Sequence, residues 1–326
     1  MSKGMRHGTH VTSRYNRSMH FLFLFMDGIG LGEDNAETNP LVAARMPNLR
    51  TLLDGKPLAA GIAPLQTERA TLLGLDARLG IDGLPQSATG QAALVTGKNV
   101  PQLVGEHYGP KPNKAVAEIV RQDNLFIQLS KRGYTSCLLN AYPQRYFDGI
   151  ASGHRLYSAI PLAVTSAGIE LKTADDLKAG KAFSVDFTGH GWREQLGYKD
   201  SPLMEADAAG RRLAAVTETY DLALFEFWVS DFVGHHQDMK GGVRLLESFD
   251  QVFGGLLAEW EDEQGLILIT SDHGNMEDLT TRHHTLNPVP GLVIGSKELR
   301  DRFCAGLNDL TGITPAILQF YPKPIN

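Results

Sequence analysis

Cysteine is nearly absent: Cys137 and Cys304 are the only two in 326 residues. They lie far apart, each inside an apolar stretch. That excludes a disulfide framework and any metal site built on closely spaced thiolates. It also suits a reducing compartment, so a cytoplasmic location is expected. Long apolar runs are missing as well. Near the start the strongest is Phe21–Met26, far below the ~20 residues that cross a bilayer, and no membrane partner is expected. Residues 1–18 carry Lys3, Arg6, Arg14 and Arg17 and no acid. A basic stretch before an apolar run has the layout of a signal peptide. Here, however, the run is short and ends in Asp27-Gly28 without a small-residue cleavage site. Residues 1–18 are therefore expected to be a disordered basic tail, with Met19 as a candidate start. Positive charge is not in excess either, since Lys plus Arg is 31 against 37 Asp plus Glu, a net charge of −6. Broad nucleic-acid binding needs clustered positive charge and is not expected. Hydrophobic residues at 42% and aromatics at 8% exclude a disordered chain.

What is present is an alternation of buried strands and helices. Met19–Met26 reads as a continuous apolar strand ended by Asp27-Gly28-Ile29-Gly30. Further strands are expected at Thr135–Asn140, Leu222–Trp228, Leu266–Thr270 and Leu292–Ile294. Helices are expected at 46–53, Gln86–Thr96, Lys114–Lys131 with a break near Asp123-Asn124, Ala206–Tyr220, Val243–Trp260 and Ile313–Phe320. Apolar strands alternating with helices imply an α/β three-layer sandwich around a mostly parallel sheet. The core is expected to comprise residues 19–150 and 200–326. Residues 151–199 fit the alternation poorly, mixing Gly, Thr, Ser and charge, and are expected to form a lid or rim insertion rather than an independent domain.

Ligands of such sheets sit beyond the carboxyl ends of the strands. Asp27 follows the first strand, Asp231 the third and Asp272-His273 the fourth. Asp231 and His235 are four apart, so a helical turn would put both on one side. Arg282-His283-His284-Thr285 follows, and five of the eleven histidines fall between 235 and 284. Any one Asp-x-x-x-His is ordinarily a solvated pair. Asp27, Asp231, His235, Asp272, His273 and His284 at one sheet edge would instead suit two Zn²⁺ or Mn²⁺ ions, with Mg²⁺ as a further candidate. Paired ions are a device of phosphoryl chemistry. A second element, Pro85-Gln86-Ser87-Ala88-Thr89-Gly90, places hydroxyls at a helix start among small residues. Helix N-termini attract phosphate, and a Ser activated there by a metal is a nucleophile. The same pattern is also an ordinary N-cap.

Together these segments resemble the alkaline phosphatase superfamily, and within it the cofactor-independent phosphoglycerate mutase and phosphopentomutase branch. The resemblance rests on Phe25-Met26-Asp27-Gly28-Ile29-Gly30, Gln86-Ser87-Ala88-Thr89-Gly90, Ser230-Asp231-Phe232-Val233-Gly234-His235, Thr270-Ser271-Asp272-His273-Gly274-Asn275-Met276-Glu277 and His284-Thr285-Leu286-Asn287-Pro288-Val289-Pro290. Their order matches from about residue 20 to 320. The resemblance implies one metal held by Asp27, Asp272, His273 and Ser87, and another by Asp231, His235 and His284. It implies Ser87 as nucleophile, with Thr89 as runner-up. His236 and His283 are either neighbours of the ligands or incidental.

The mutases carry a large inserted domain whose arginines grip the substrate, and no such domain fits between Thr96 and Leu222. Arg145, Arg155, Arg193, Arg211 and Arg212 match none of those arginines one by one. A mutase must retain its intermediate and exclude water, so a shortened lid points to hydrolysis. The expected function is a two-metal phosphohydrolase acting on a small soluble phosphate ester through a Ser phospho-enzyme. Its alternatives are a phosphomutase, a phosphodiesterase, pyrophosphatase or phosphonate hydrolase, and a non-catalytic metal-binding relative. His190 and Arg193, within Thr188-Gly189-His190-Gly191-Trp192-Arg193, are expected substrate contacts, Arg193 suiting a second anionic group.

Overall fold

The computed structural model describes residues 19–323. The expected basic tail at residues 1–18 lies outside them. Seven strands form one mixed sheet: β1 His20–Met26, β2 Leu65–Gln66, β3 Ala70–Leu75, β4 Ser136–Leu138, β5 Leu222–Phe227, β6 Gly265–Thr270 and β7 Val289–Ile294. Their order is β2-β3-β7-β6-β1-β5-β4. β6, β1, β5 and β4 run parallel, with Phe23 opposite Leu224 on one side and Leu268 on the other. β7 is antiparallel to both β6 and β3, and β2 to β3.

β1 shows why the sheet has two covered faces. Leu22, Leu24 and Met26 enter one core, and Phe21, Phe23 and Phe25 the other. Successive strand residues point to opposite faces, so a strand buried on both sides must be apolar throughout. The Leu22 face is covered by the helices Pro47–Leu52, Ala206–Thr217 and Met239–Glu259. Ser87–Thr96, Lys114–Gln122, Leu125–Lys131, Ala159–Ser166 and Ile313–Leu318 cover the Phe21 face. The expected break near Asn124 is real. Its side chain accepts from the Phe126 and Ile127 N–H groups, capping a second helix.

The 151–199 segment divides. Ala159–Ser166 is a full member of the second core. Phe187 stacks on Phe225 at 4.2 Å in the first. Only Leu177, Ala182 and Trp192, with Ala141, make a small satellite cluster.

Candidate metal centre and nucleophile

Asp27 follows β1 directly, and Asp272-His273 follow β6. Asp231 and His235 sit one turn apart on the short helix Val229–His235 after β5. His284 arrives by a different route. β7 is antiparallel, with Leu292 beside Ile269 and Ile294 beside Ile267. Its amino end therefore adjoins the carboxyl end of β6, and the loop leading into it reaches the same edge. β3 ends there too, with Leu75 opposite Val289, and the chain passes from it to Ser87. Gly28 makes room: its φ is +69°, and a Cβ there would lie 2.7 Å from Asp231 Oδ1.

The structure brings all six expected ligands together. His273 Nε2 lies 3.4 Å from Asp27 Oδ1 and 3.6 Å from Asp272 Oδ2. His235 Nε2 is 3.3 Å from Asp231 Oδ2, and His284 Nε2 is 3.8 Å from Asp231 Oδ1. Two clusters have ligand atoms within 4.8 Å of one another: Asp231 with His235 and His284, and Asp27 with Asp231 and His273. Asp231 belongs to both. In the expected division Asp272 and Ser87, not Asp231, completed the set of Asp27 and His273.

Ring tautomers follow from the backbone. His235 Nδ1 is 2.7 Å from the Arg282 carbonyl, and His284 Nδ1 is 2.7 Å from that of Pro85. A carbonyl only accepts, so both Nδ1 atoms carry a proton, and in the neutral form of each ring Nε2 presents the lone pair. Those Nε2 atoms face each other at 3.3 Å, an arrangement suited to a shared electrophile. Asp27 Oδ1 and Asp272 Oδ2 are buried without a hydrogen-bond partner. Burial, followed by the charge of Asp272 and Asp231, raises the Asp27 carboxyl well above its ordinary range. Burial and then Asp231 lift Asp272 to about 7. Desolvation, with the other imidazoles, pushes His273 well down and lowers His284. Neutral imidazoles beside carboxylates strained by mutual repulsion are what divalent cations relieve, so the donor set fits them.

Ser87 opens the Ser87–Thr96 helix, its Oγ 3.0 Å from His273 Nε2. Thr89 is fully buried, and its hydroxyl is taken up by the backbone of Gln86 and Tyr108. It does not face the ligands. His236 is exposed and bonded to the Phe232 carbonyl, and His283 is an exposed loop residue.

Ser87, Asp27, Asp231 and His235 line a cavity of about 640 Å³. The expected substrate contacts His190 and Arg193 do not line it, which corrects that expectation. The glycine-containing stretch is no flexible loop but a short helix, His190–Glu194. Gly191 and Trp192, with the following Gln195, occupy the side turned to the cavity. On the other side His190 pairs with Glu194, and Arg193 Nε donates to the Ser201 carbonyl at 2.6 Å. Lys111, Arg145 and Arg155 line the cavity instead, with Tyr142, Tyr146 and Glu226.

Three supporting residues escaped the sequence reading. Glu277 Oε2 accepts from the N–H groups of Gly30 at 2.9 Å and Asn275 at 2.7 Å. Its Oε1 accepts from Thr285 Oγ1 and from Asn287 Nδ2. It thereby ties together the loops that carry Asp27, His273 and His284. Ser271 Oγ accepts from the Ile29 N–H at 3.0 Å, and Gln91 donates to Asp27 Oδ2 at 3.3 Å. The signal was available for Glu277: an acid among glycines and ligands that is not itself a ligand.

Residues 193–321 match the family model described as Metalloenzyme superfamily. A 117-residue stretch is 36% identical to the 2,3-bisphosphoglycerate-independent phosphoglycerate mutase of Roseobacter denitrificans, covering 33% of this chain and 22% of the relative. A 138-residue stretch is 32% identical to the enzyme of the same name from Ruegeria pomeroyi, covering 39% and 26%. The matches thus span only about a quarter of those relatives' length. Among solved structures, a Pyrococcus horikoshii protein superposes with TM-score 0.56 at 15% identity, covering 95% of this chain and 99% of that one. The alkaline phosphatase of the Antarctic bacterium TAB5 superposes with TM-score 0.53 at 14% identity, covering 95% and 100%. The fold is an α/β architecture of the alkaline-phosphatase-like kind with a mostly parallel, mixed sheet.

Proposed function

We propose that this chain, which carries the metalloenzyme-superfamily signature over residues 193–321 on an alkaline-phosphatase-like sheet, is a metal-dependent phosphoryl-transfer enzyme that hydrolyses a small soluble phosphate ester. The observation that carries the reading is Ser87 Oγ at a helix start, 3.0 Å from His273 Nε2, beside two Asp and His clusters and the adjacent Asp272. Asp231, His235 and His284 would hold one Mn²⁺ or Zn²⁺ ion, and Asp27, Asp272 and His273 the other, with Asp231 reaching both. Such ions supply positive charge that favours an ionised Ser87 and offsets charge on the transferring phosphoryl group. Ser87 Oγ attacks phosphorus opposite the ester oxygen. The O–P bond to serine forms as the bond to the alcohol breaks, leaving a phosphoserine and the free alcohol. Water then attacks that phosphorus, the serine O–P bond breaks, inorganic phosphate leaves, and a proton from the water restores the Ser87 hydroxyl. The helix start directs its dipole at the phosphoryl oxygens. Glu277 keeps the three ligand-bearing loops in register.

The names of the relatives favour a second reading, in which the phosphoryl group returns to another hydroxyl of the same substrate. Product analysis separates the two. Metal-loaded protein incubated with a panel of phosphate monoesters should release inorganic phosphate and free alcohol, and Ser87→Ala should not. A positional isomer with no phosphate release supports the mutase reading. Absence of both products across the panel, with Mn²⁺ and with Zn²⁺, contradicts phosphoryl transfer.

A further inference from the structure

Side chains of β5 alternate between the two cores: Ala223, Phe225 and Phe227 enter one, Leu222 and Leu224 the other. Glu226 takes the next place on the Leu224 side, which is the side of the Ser87 helix. Its residue exposure is 5%. A leucine there would continue the pattern, whereas a buried carboxylate costs free energy unless it is paired. The fold gives it little in return. Among the described residues its carboxylate receives one hydrogen bond, from Tyr142 Oη to Oε2 at 3.0 Å. The Asn140 side chain instead grips its main chain, donating to the Glu226 carbonyl at 2.8 Å and accepting from its N–H at 2.7 Å. Glu226 lines the same cavity as Ser87. Burial lifts its carboxyl to about 7, against the Tyr142 hydroxyl and Lys111, which both favour the ionised form; Lys111 lines the cavity too. It makes no ion pair with Glu226 within 4.0 Å. Tyr142, Tyr146, Trp192 and Trp228 complete an aromatic wall.

We propose that Glu226 is a specificity-determining residue that accepts a hydrogen bond from a hydroxyl on the alcohol portion of a phosphate ester held at Ser87. The site thereby selects phosphorylated polyols over phosphates of simple alcohols. This rests on the phosphoryl-transfer reading above. The donor is a hydroxyl rather than an ammonium, because Lys111 already lies close enough to act on the charge of Glu226 and would repel a second cation there. A carboxylate only accepts and an ammonium only donates, while a hydroxyl does both. Neighbouring hydroxyls therefore satisfy Glu226 and Lys111 at once, and the rings cover the C–H faces between them. An alcohol without the hydroxyl leaves a buried carboxylate short of a partner, which is how polar sites reject apolar analogues. Glu226 stands five residues before Asp231 and belongs to neither candidate ligand cluster.

Glycerol 2-phosphate and isopropyl phosphate share a carbon skeleton and differ in two hydroxyls. kcat/KM for both is measured on metal-loaded wild type, Glu226→Gln and Glu226→Leu. Wild type should prefer glycerol 2-phosphate, and Glu226→Leu should lower that value about ten- to hundredfold, the worth of one bond to a charged group. Isopropyl phosphate should change by less than about twofold. Glu226→Gln, whose amide oxygen still accepts, should fall between. Equal losses on both substrates mean a structural role and overturn the proposal, as does no change on either. Calorimetric binding of both esters to the same three proteins keeps the two readings apart. If wild type turns over neither ester, phosphoryl transfer fails, and Glu226 is judged by binding alone. Tighter binding of glycerol 2-phosphate that is lost in Glu226→Leu supports its role. Equal binding of the two esters, or none, overturns it.

Discussion

Glu277→Ala removes a buried carboxylate that four donors share. Gly30 N–H at 2.9 Å and Asn275 N–H at 2.7 Å both point at Oε2. In alanine both lose that acceptor. Each orphaned buried N–H costs about 1–3 kcal/mol. The pair alone therefore removes about 2–6 kcal/mol, out of about 5–15 for a typical native protein. A loss of ~3 kcal/mol lowers Tm by roughly 5 °C in a chain of this size. The same loops carry Asp27, His273 and His284, so Mn²⁺ affinity should fall about 10- to 100-fold. Glu277→Gln is the informative companion. Its amide oxygen can keep the two backbone donors, and its NH₂ can face Thr285 and Asn287, whose groups can turn to accept. Its cost should be limited to about 1–2 kcal/mol, the charge-assisted part of the bonds. Differential scanning calorimetry and Mn²⁺ titration read both quantities. A Glu277→Ala protein that melts with wild type and binds Mn²⁺ equally well would refute the view that this carboxylate organises the site.

Burial and Asp231 raise Asp272 to about 7, so metal entering below that pH must displace a proton. Apparent Mn²⁺ affinity should rise with pH up to about 7, approaching tenfold per pH unit for each proton displaced well below that value; a flat profile would contradict this. Chelation should lower Tm, because a ligand present at 100 times its Kd adds about 2.7 kcal/mol of stability. Double replacement of His235 and His284 by Ala should reduce that chelator effect, leaving only the share of the Asp27, Asp272 and His273 site. Arg193→Ala should leave KM unchanged within about twofold, since its guanidinium is bonded to Ser201 away from the cavity. Lys111→Ala should raise KM.

Much of this architecture was legible because periodicity carried it. β1, β5 and β6 are continuous apolar runs, and the residues just after them hold acids. The antiparallel side was not legible. The strand expected at Leu292–Ile294 extends back through Pro290 and Gly291 to Val289. The structure admits them because β6 pairs only with Leu292–Ile294, leaving Pro290 with a single neighbouring strand, β3. β3 itself went unread, and with it the route that brings Ser87 to the site. The candidate ligands could be grouped from the sequence because His and Asp recur at strand ends. The cavity wall was not, because Lys111 sits in a loop without pattern and Tyr142 follows a strand by chance of spacing. Glu226 did leave a signal, as a lone acid in the apolar run Leu222–Trp228. His190 and Arg193 were misassigned because residue chemistry was read without direction; one short helix turns them away from the cavity and turns Gly191 and Trp192 toward it.

The central claim, that Ser87 carries the phosphoryl group inside a two-metal site, is tested most directly by acid-quenching the Mn²⁺-loaded protein during turnover of a phosphate monoester and locating the phosphoryl group by peptide mass spectrometry. The account predicts one phosphoryl group per chain, on Ser87, that disappears in metal-free protein. Phosphate on Thr89, on a histidine or on no residue while turnover proceeds would contradict it.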